Sequence, residues 1–152
     1  MIQRIQTIYL ALALVIFGLA TYLPLAEVAE AGNLFIFSAK GLVNTGSGEA
    51  VYSGLPLLSL AVLVLAVNLF VIFNFKKRVR QMRMTLFNIL LMLGFLVVSF
   101  VFLRMSVKDM AEAVIAYKIF MVFPAISAIL NYLAIRAIGK DEALIRSIDR
   151  IR

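Results

Sequence analysis

Three asparagines lie inside long apolar stretches of this chain, where an amide group has little water to bond. At a rise of about 1.5 Å per residue along a helix, all three fall at similar depth, roughly 6–11 Å from the same boundary of the apolar layer. Buried amides in lipid bond to one another across helices, so residues at one depth can form a shared polar cluster. Such a cluster either fixes the register of the helices or binds a polar substrate. The residues are Asn68, Asn88 and Asn131.

A run of positive charge separates two of the apolar stretches. Cations beside a membrane span set its orientation, and they also attract anionic lipid head groups, at about 1 kcal/mol per charge near the surface. Contact with an acidic partner is a third interpretation, whereas no interleaved aromatic residue supports specific nucleic-acid binding. The residues of this run are Lys76, Lys77, Arg78, Arg80 and Arg83.

The chain contains neither cysteine nor histidine. Disulfides, thiol chemistry and the usual ligand sets for zinc, haem and iron–sulfur clusters are therefore excluded. The apolar stretches contain no Asp or Glu, so they provide no carboxylate relay for protons. No glycine-rich phosphate loop and no nucleophile–base pair is present. We therefore predict no catalytic residue, no metal site and no cofactor, and we do not expect an enzyme.

The elements that must position these residues follow from composition. Hydrophobic residues make up 64% of the chain and charged residues 15%, against about 45–50% and about 25% in soluble domains. A membrane-spanning helix needs about 20 mostly apolar residues. Such segments occur at about 5–25, 55–75, 84–103 and 117–138, separated by an outer loop at 26–54 and a cytoplasmic basic loop at 76–83, and followed by a tail at 139–152.

The distribution of charge predicts the orientation of these spans. Most of the 15 Lys and Arg residues lie before the first span, between the second and third, or after the fourth. The positive-inside rule then places both termini in the cytoplasm, as an even number of spans requires. We predict an all-α membrane protein, a single domain over residues 1–152 in which four transmembrane helices form an antiparallel bundle.

The outer loop has two features of a β-hairpin. An aromatic and β-branched run at 33–38 precedes a turn cluster at 44–48, and a further β-prone stretch follows at 51–53. Two isolated strands are marginal in water, so a hairpin would need helix ends, lipid or a partner to pack against. The pattern predicts either a small β-hairpin on the outer surface or a locally ordered loop.

The tail has the pattern of a short amphipathic helix. Gly139 suits the end of the fourth span, and Asp141 suits the N-cap of a new helix. The apolar face of that helix would lie on the cytoplasmic membrane surface or dock onto a partner. Its residues are Leu144, Ile145, Ile148 and Ile151.

Three terminal stretches, Met1–Leu10, Asn131–Ile138 and Lys140–Arg152, resemble a family of small bacterial four-helix inner-membrane proteins catalogued as a domain of unknown function. The resemblance implies a bacterial inner-membrane location, and it agrees with the length and the layout of the spans. It transfers no catalytic or binding residue to this chain.

Small size, the missing catalytic groups and the basic cytoplasmic face favour a non-catalytic accessory or scaffold subunit of an inner-membrane protein assembly. Its partners would be membrane lipids together with a membrane protein or further copies of the chain. The alternative is a small transporter, channel or lipid-handling protein. In that case the asparagines and the basic run would form the polar path or the lipid site.

Overall fold

A computed structural model describes residues 3–75, 77–110 and 113–149. Within these ranges the chain forms four α-helices, and a short 3₁₀ helix at Ile119–Val122 leads into the last of them. The α-helices are α1 (Gln3–Tyr22), α2 (Leu55–Phe73), α3 (Arg78–Ser106) and α4 (Phe123–Asp149).

The helices pack in a ring that follows their order in the chain. Helix α1 packs extensively on α4, α4 on α3, and α2 on both α1 and α3. Phe17 of α1 meets Phe95 of α3 edge to face in the interior, with ring centroids 5.1 Å apart. Polar side chains inside α3 bond their own helix, since the hydroxyls of Ser99 and Thr85 donate to carbonyls one turn earlier. This removes part of the cost of placing hydroxyls in an apolar environment.

Each helix has the length and composition of a membrane span. Among the described residues, four segments are long and apolar enough to cross a membrane. Large apolar side chains cover the outer faces of these helices, among them Val15, Val62, Leu90 and Ile129. Such faces suit contact with lipid chains.

A five-stranded antiparallel sheet is formed by the described residues, with the strand order β4-β3-β2-β1-β5. It lies where α1 and α3 end and α2 and α4 begin, which we call the sheet end. The opposite end carries the α2–α3 turn and the start of α1, and we call it the basic end. The strands are β1 (Ala26–Glu30), β2 (Asn33–Ser38), β3 (Gly41–Asn44), β4 (Ala50–Ser53) and β5 (Val114–Tyr117).

One face of the sheet covers the ends of the helices. Phe37 and Leu42 are cross-strand partners and are fully buried. The rings of Phe37 and Tyr52 lie 6.3 Å and 5.4 Å from that of Phe102 on α3. Burying a side chain of this size contributes roughly 1.5–3 kcal/mol. The sheet therefore gains stability from the helix ends that it covers, as a small isolated sheet could not.

The predicted fold class is wrong, because the chain is mixed α/β and not an all-α bundle. The outer loop forms four strands where a small hairpin or a locally ordered loop was predicted, and β5 joins them from the second connection, next to β1. Tyr117 lies in β5, so the fourth helix does not start there. It begins at Phe123, and Pro124 follows in its first turn, where proline costs no intrahelical hydrogen bond.

The predicted separate tail helix is also wrong, because α4 continues without a break through Gly139 to Asp149. A Cβ at Gly139 would meet only the Met82 sulfur, at 3.9 Å. Glycine within a helix costs roughly 0.5–1 kcal/mol relative to alanine, and packing of α4 outweighs that cost here. Asp141 caps no new helix and instead accepts a hydrogen bond from Gln6 of α1.

Candidate functional site at the basic end

The basic end brings the run of positive charge next to the start of α1. Most of the predicted basic loop is helical, since α3 begins at Arg78. Lys77, Arg80 and Arg83 are exposed, whereas Arg78 is partly buried. Lys76 lies outside the described residues. Among the described residues of this run, Arg78 thus differs from the other three in its burial.

The α2–α3 turn is held by a glutamine that the sequence analysis missed. Gln81 is buried, and its side-chain N–H donates to the carbonyl of Val71 in the last turn of α2, at 3.0 Å. The Val71 carbonyl also accepts the backbone N–H of Asn74 at the helix cap, at 3.2 Å, so Gln81 adds a second hydrogen bond to a carbonyl of the final turn. The only signal in the sequence was the spacing of Gln81, Thr85 and Asn88, which places them on one face of α3.

An open groove of about 630 Å³ lies between α1, α2 and the start of α3. We call it the Arg78 groove. One terminal nitrogen of the Arg78 guanidinium is buried and has no hydrogen-bond partner among the described groups. The groove is lined by Gln6, Thr7, Ile8, Ala11, Ile72, Phe73, Phe75, Arg78 and Gln81.

A second cavity, of about 350 Å³, lies on the other side of α1, between α1 and α4. Arg136 and Lys140 line it, together with Asp141. Gln6 lines the Arg78 groove, so the buried hydrogen bond from Gln6 to Asp141 lies between the two cavities. Gln6 and Asp141 are 135 positions apart in the chain, and no local pattern could have paired them.

The three asparagines are all fully buried, on α2, α3 and α4. The Asn131 amide donates to the sulfur of Met92 at 3.1 Å. Several buried polar atoms have no hydrogen-bond partner in the described part of the chain. They are the side-chain oxygen of Asn131, the amide oxygen and nitrogen of both Asn68 and Asn88, and the hydroxyl of Ser127. Within the described structure no hydrogen bond joins one asparagine to another, so their joint role stays a prediction.

Residues 2–151 match a protein family whose description is "Domain of unknown function (DUF4293)". The chain belongs to the DUF4293 family. The match spans nearly all of the chain and confirms the resemblance of its terminal stretches to a domain of unknown function. A comparison with curated proteins gives no match.

The predicted docking tail of this DUF4293 member is only partly described. Leu144 lies on α4 and is 54% exposed. The backbone of Ile145 and Ile148 continues α4, but their side chains, and all of Ile151, lie outside the described part. Docking through this face therefore stays a prediction.

The sheet end of the DUF4293 chain holds an ion pair and a mostly apolar cavity. Lys118 approaches Glu27 of β1 to 2.8 Å, and each side chain is 39% exposed. Exposed pairs of this kind contribute roughly 0–1 kcal/mol. A cavity of about 520 Å³ lies beside Lys118, between α3 and the segment from Tyr117 to Val122. The pair joins β1 to the entry of α4.

Proposed function

We propose that this chain is a non-catalytic accessory or scaffold subunit of a membrane protein assembly in the bacterial inner membrane. The observation that carries the proposal is the edge strand β4, which stands outside the candidate spans. A strand at the edge of a sheet offers unpaired N–H and C=O groups to another chain.

The β4 edge is open and apolar. All of its residues, Ala50 to Ser53, are exposed, and Val51 retains 49% of its accessible surface. In the described sheet β4 has β3 as its only neighbour. Natural proteins commonly guard such an edge with charge or proline, and β4 has neither. These features support recognition of an extended segment.

The partner proposed here is an extended segment of another subunit, added to the sheet beside β4. Backbone hydrogen bonds would provide affinity, and alternate side chains would provide specificity. Positive charge at the basic end supports an arrangement with both termini in the cytoplasm. The sheet, and with it β4, would then face the outside.

A photo-crosslinking residue in place of Val51 tests this proposal. We expect it to capture one stoichiometric membrane partner in cells, identified by mass spectrometry after purification in mild detergent. The matched control is the same residue at Leu34, which is 57% exposed but lies in the inner strand β2. Crosslinks that form equally from both positions would contradict recognition at the edge.

Two substitutions at Val51 separate docking from general damage. Val51→Lys places a charge on the edge strand, and we expect it to remove the partner from the purified protein. Val51→Thr keeps a β-branched side chain, so it is expected to retain the partner. Unchanged partner recovery with Val51→Lys, or a homo-oligomer that carries only lipid, would refute the proposal.

A small transporter or channel is the second candidate function. It is favoured by the buried amides of Asn68 and Asn88, which lack hydrogen-bond partners among the described groups. A polar substrate or water passing between the helices would satisfy them. The thermal stability of an Asn68→Leu variant tests whether that amide is left without a partner in the folded protein.

A further inference from the structure

The Arg78 groove combines a cationic end with apolar walls. Arg78 stands at the first position of α3, and Gln6 and Gln81 provide the neighbouring polar side chains. Ile8, Ile72 and Phe73 supply apolar wall. No carboxylate is among the described residues that line it. A ligand that fits this groove is therefore negative at one end and apolar along the rest.

The buried guanidinium nitrogen of Arg78 indicates where the negative group would bind. A buried donor without a partner costs roughly 1–3 kcal/mol, and more where the group is charged. Guanidinium binds phosphate through paired N–H groups, with both geometric fit and charge. The first turn of α3 contains no acidic residue, and the exposed cations Lys77 and Arg80 lie beside Arg78. Each of these features favours an anion at this position.

The rim of the groove indicates that it opens towards lipid. Ile8, Phe73 and Phe75 are 54%, 70% and 50% exposed. They belong to, or directly follow, helices that are long and apolar enough to span a membrane. At about 630 Å³, the groove falls within the usual range of ligand pockets, about 300–1,000 Å³.

We propose that the Arg78 groove binds one anionic phospholipid. The phosphate lies on the Arg78 guanidinium, with Gln6 and Gln81 beside it, and an acyl chain follows Ile8, Ala11 and Ile72. This differs from a general attraction of basic residues to an anionic surface, because a single cation holds the ligand. The site is also independent of partner recognition at β4.

Native mass spectrometry of the full chain in mild detergent tests the proposal, with dioleoyl phosphatidylglycerol and dioleoyl phosphatidylcholine as probes. We expect one tight phosphatidylglycerol to bind and phosphatidylcholine to bind much more weakly. Arg78→Gln should weaken the first phosphatidylglycerol about tenfold or more, the loss expected for a charge-assisted hydrogen bond. Arg83→Gln removes the same charge from an exposed position on α3, and it should leave that binding within about twofold.

A second variant keeps the test decisive if Arg78→Gln fails to fold. Ala11→Phe fills the apolar part of the groove without changing charge, and we expect it to weaken phosphatidylglycerol binding as well. Equal losses in Arg78→Gln and Arg83→Gln would overturn the proposal in favour of a diffuse basic surface. Displacement of the lipid by millimolar inorganic phosphate, or undiminished binding in Ala11→Phe, would overturn it too.

Discussion

Among single residues, the buried amides without hydrogen-bond partners carry a free-energy cost that must be explained. Asn68 is fully buried on α2, and neither of its amide atoms has a hydrogen-bond partner within the described structure. A polar group left in that state costs roughly 1–3 kcal/mol. This free-energy cost either lowers the stability of the fold permanently, or it is removed when a polar ligand or water bonds to the amide between the helices.

Asn68→Leu replaces the amide by an apolar group of the same branched shape. We expect it to stabilise the protein by about 1 kcal/mol, because the desolvated amide is removed without leaving a cavity. Thermal unfolding in mild detergent measures the change. The matched control is Val64→Asn, which adds an amide one turn away at another fully buried position of α2 and should destabilise. A lower melting temperature for Asn68→Leu would mean that the amide is hydrogen-bonded in the folded protein, which would remove the observation that favours a transporter.

Residue types in the sequence identify the polar positions but not their partners. The basic run was visible as a group, yet nothing local distinguishes Arg78 from Arg80. In the folded chain one guanidinium nitrogen of Arg78 is buried, whereas the Arg80 side chain is exposed. The Gln6–Asp141 hydrogen bond joins the two ends of the chain, and the local pattern around Asp141 predicted a cap instead.

At the scale of elements, two glycines hold the sheet against the start of α2. Gly41 has a φ of +113°, and a Cβ there would overlap the carbonyl oxygen of Tyr52. A Cβ on Gly54 would overlap the backbone of Lys40 and Gly41. The backbones of β3 and of the β4–α2 connection therefore approach each other at a distance that only glycine allows.

Substituting these glycines should separate sheet packing from helix packing. Gly41→Ala is expected to destabilise the protein by more than about 1 kcal/mol, because both the left-handed φ and the close backbone contact oppose a side chain. Gly18→Ala in α1 is the control, since a Cβ there meets nothing within 4 Å. It should be neutral or stabilising by up to about 1 kcal/mol. Thermal unfolding would measure both, and equal effects would contradict the proposed close packing.

The helices were the predictable elements, because long apolar runs have few alternatives. The sheet was harder to predict from sequence. Strand β1 follows the first span without a clear alternating pattern, and its partner β5 lies more than 80 positions later. A four-residue strand has too few side chains to show a period, and its identity depends on that distant pairing. The length of the outer loop was a signal, but it did not reveal how many strands it forms.

Across the whole molecule, the two ends of the helices differ in charge and in secondary structure. The basic end carries exposed Lys77, Arg80 and Arg83 and the Arg78 groove, whereas the sheet end carries the five-stranded sheet, outside the candidate spans. An arrangement of this kind suits a protein that binds lipid at one surface and a partner at the other. Which end faces the cytoplasm decides on which side of the membrane each proposed site would lie.

The absence of cysteine makes that orientation directly measurable. Thr45→Cys places a thiol in the exposed β3–β4 turn, and Lys77→Cys places one at the basic end. The positive-inside rule predicts that a membrane-impermeant maleimide labels Thr45→Cys in intact bacterial cells and reaches Lys77→Cys only after the inner membrane is opened. The cysteine-free parent controls for background. The reverse pattern would place the lipid groove outside and the β4 edge inside, and any partner recognised by β4 would then have to be cytoplasmic.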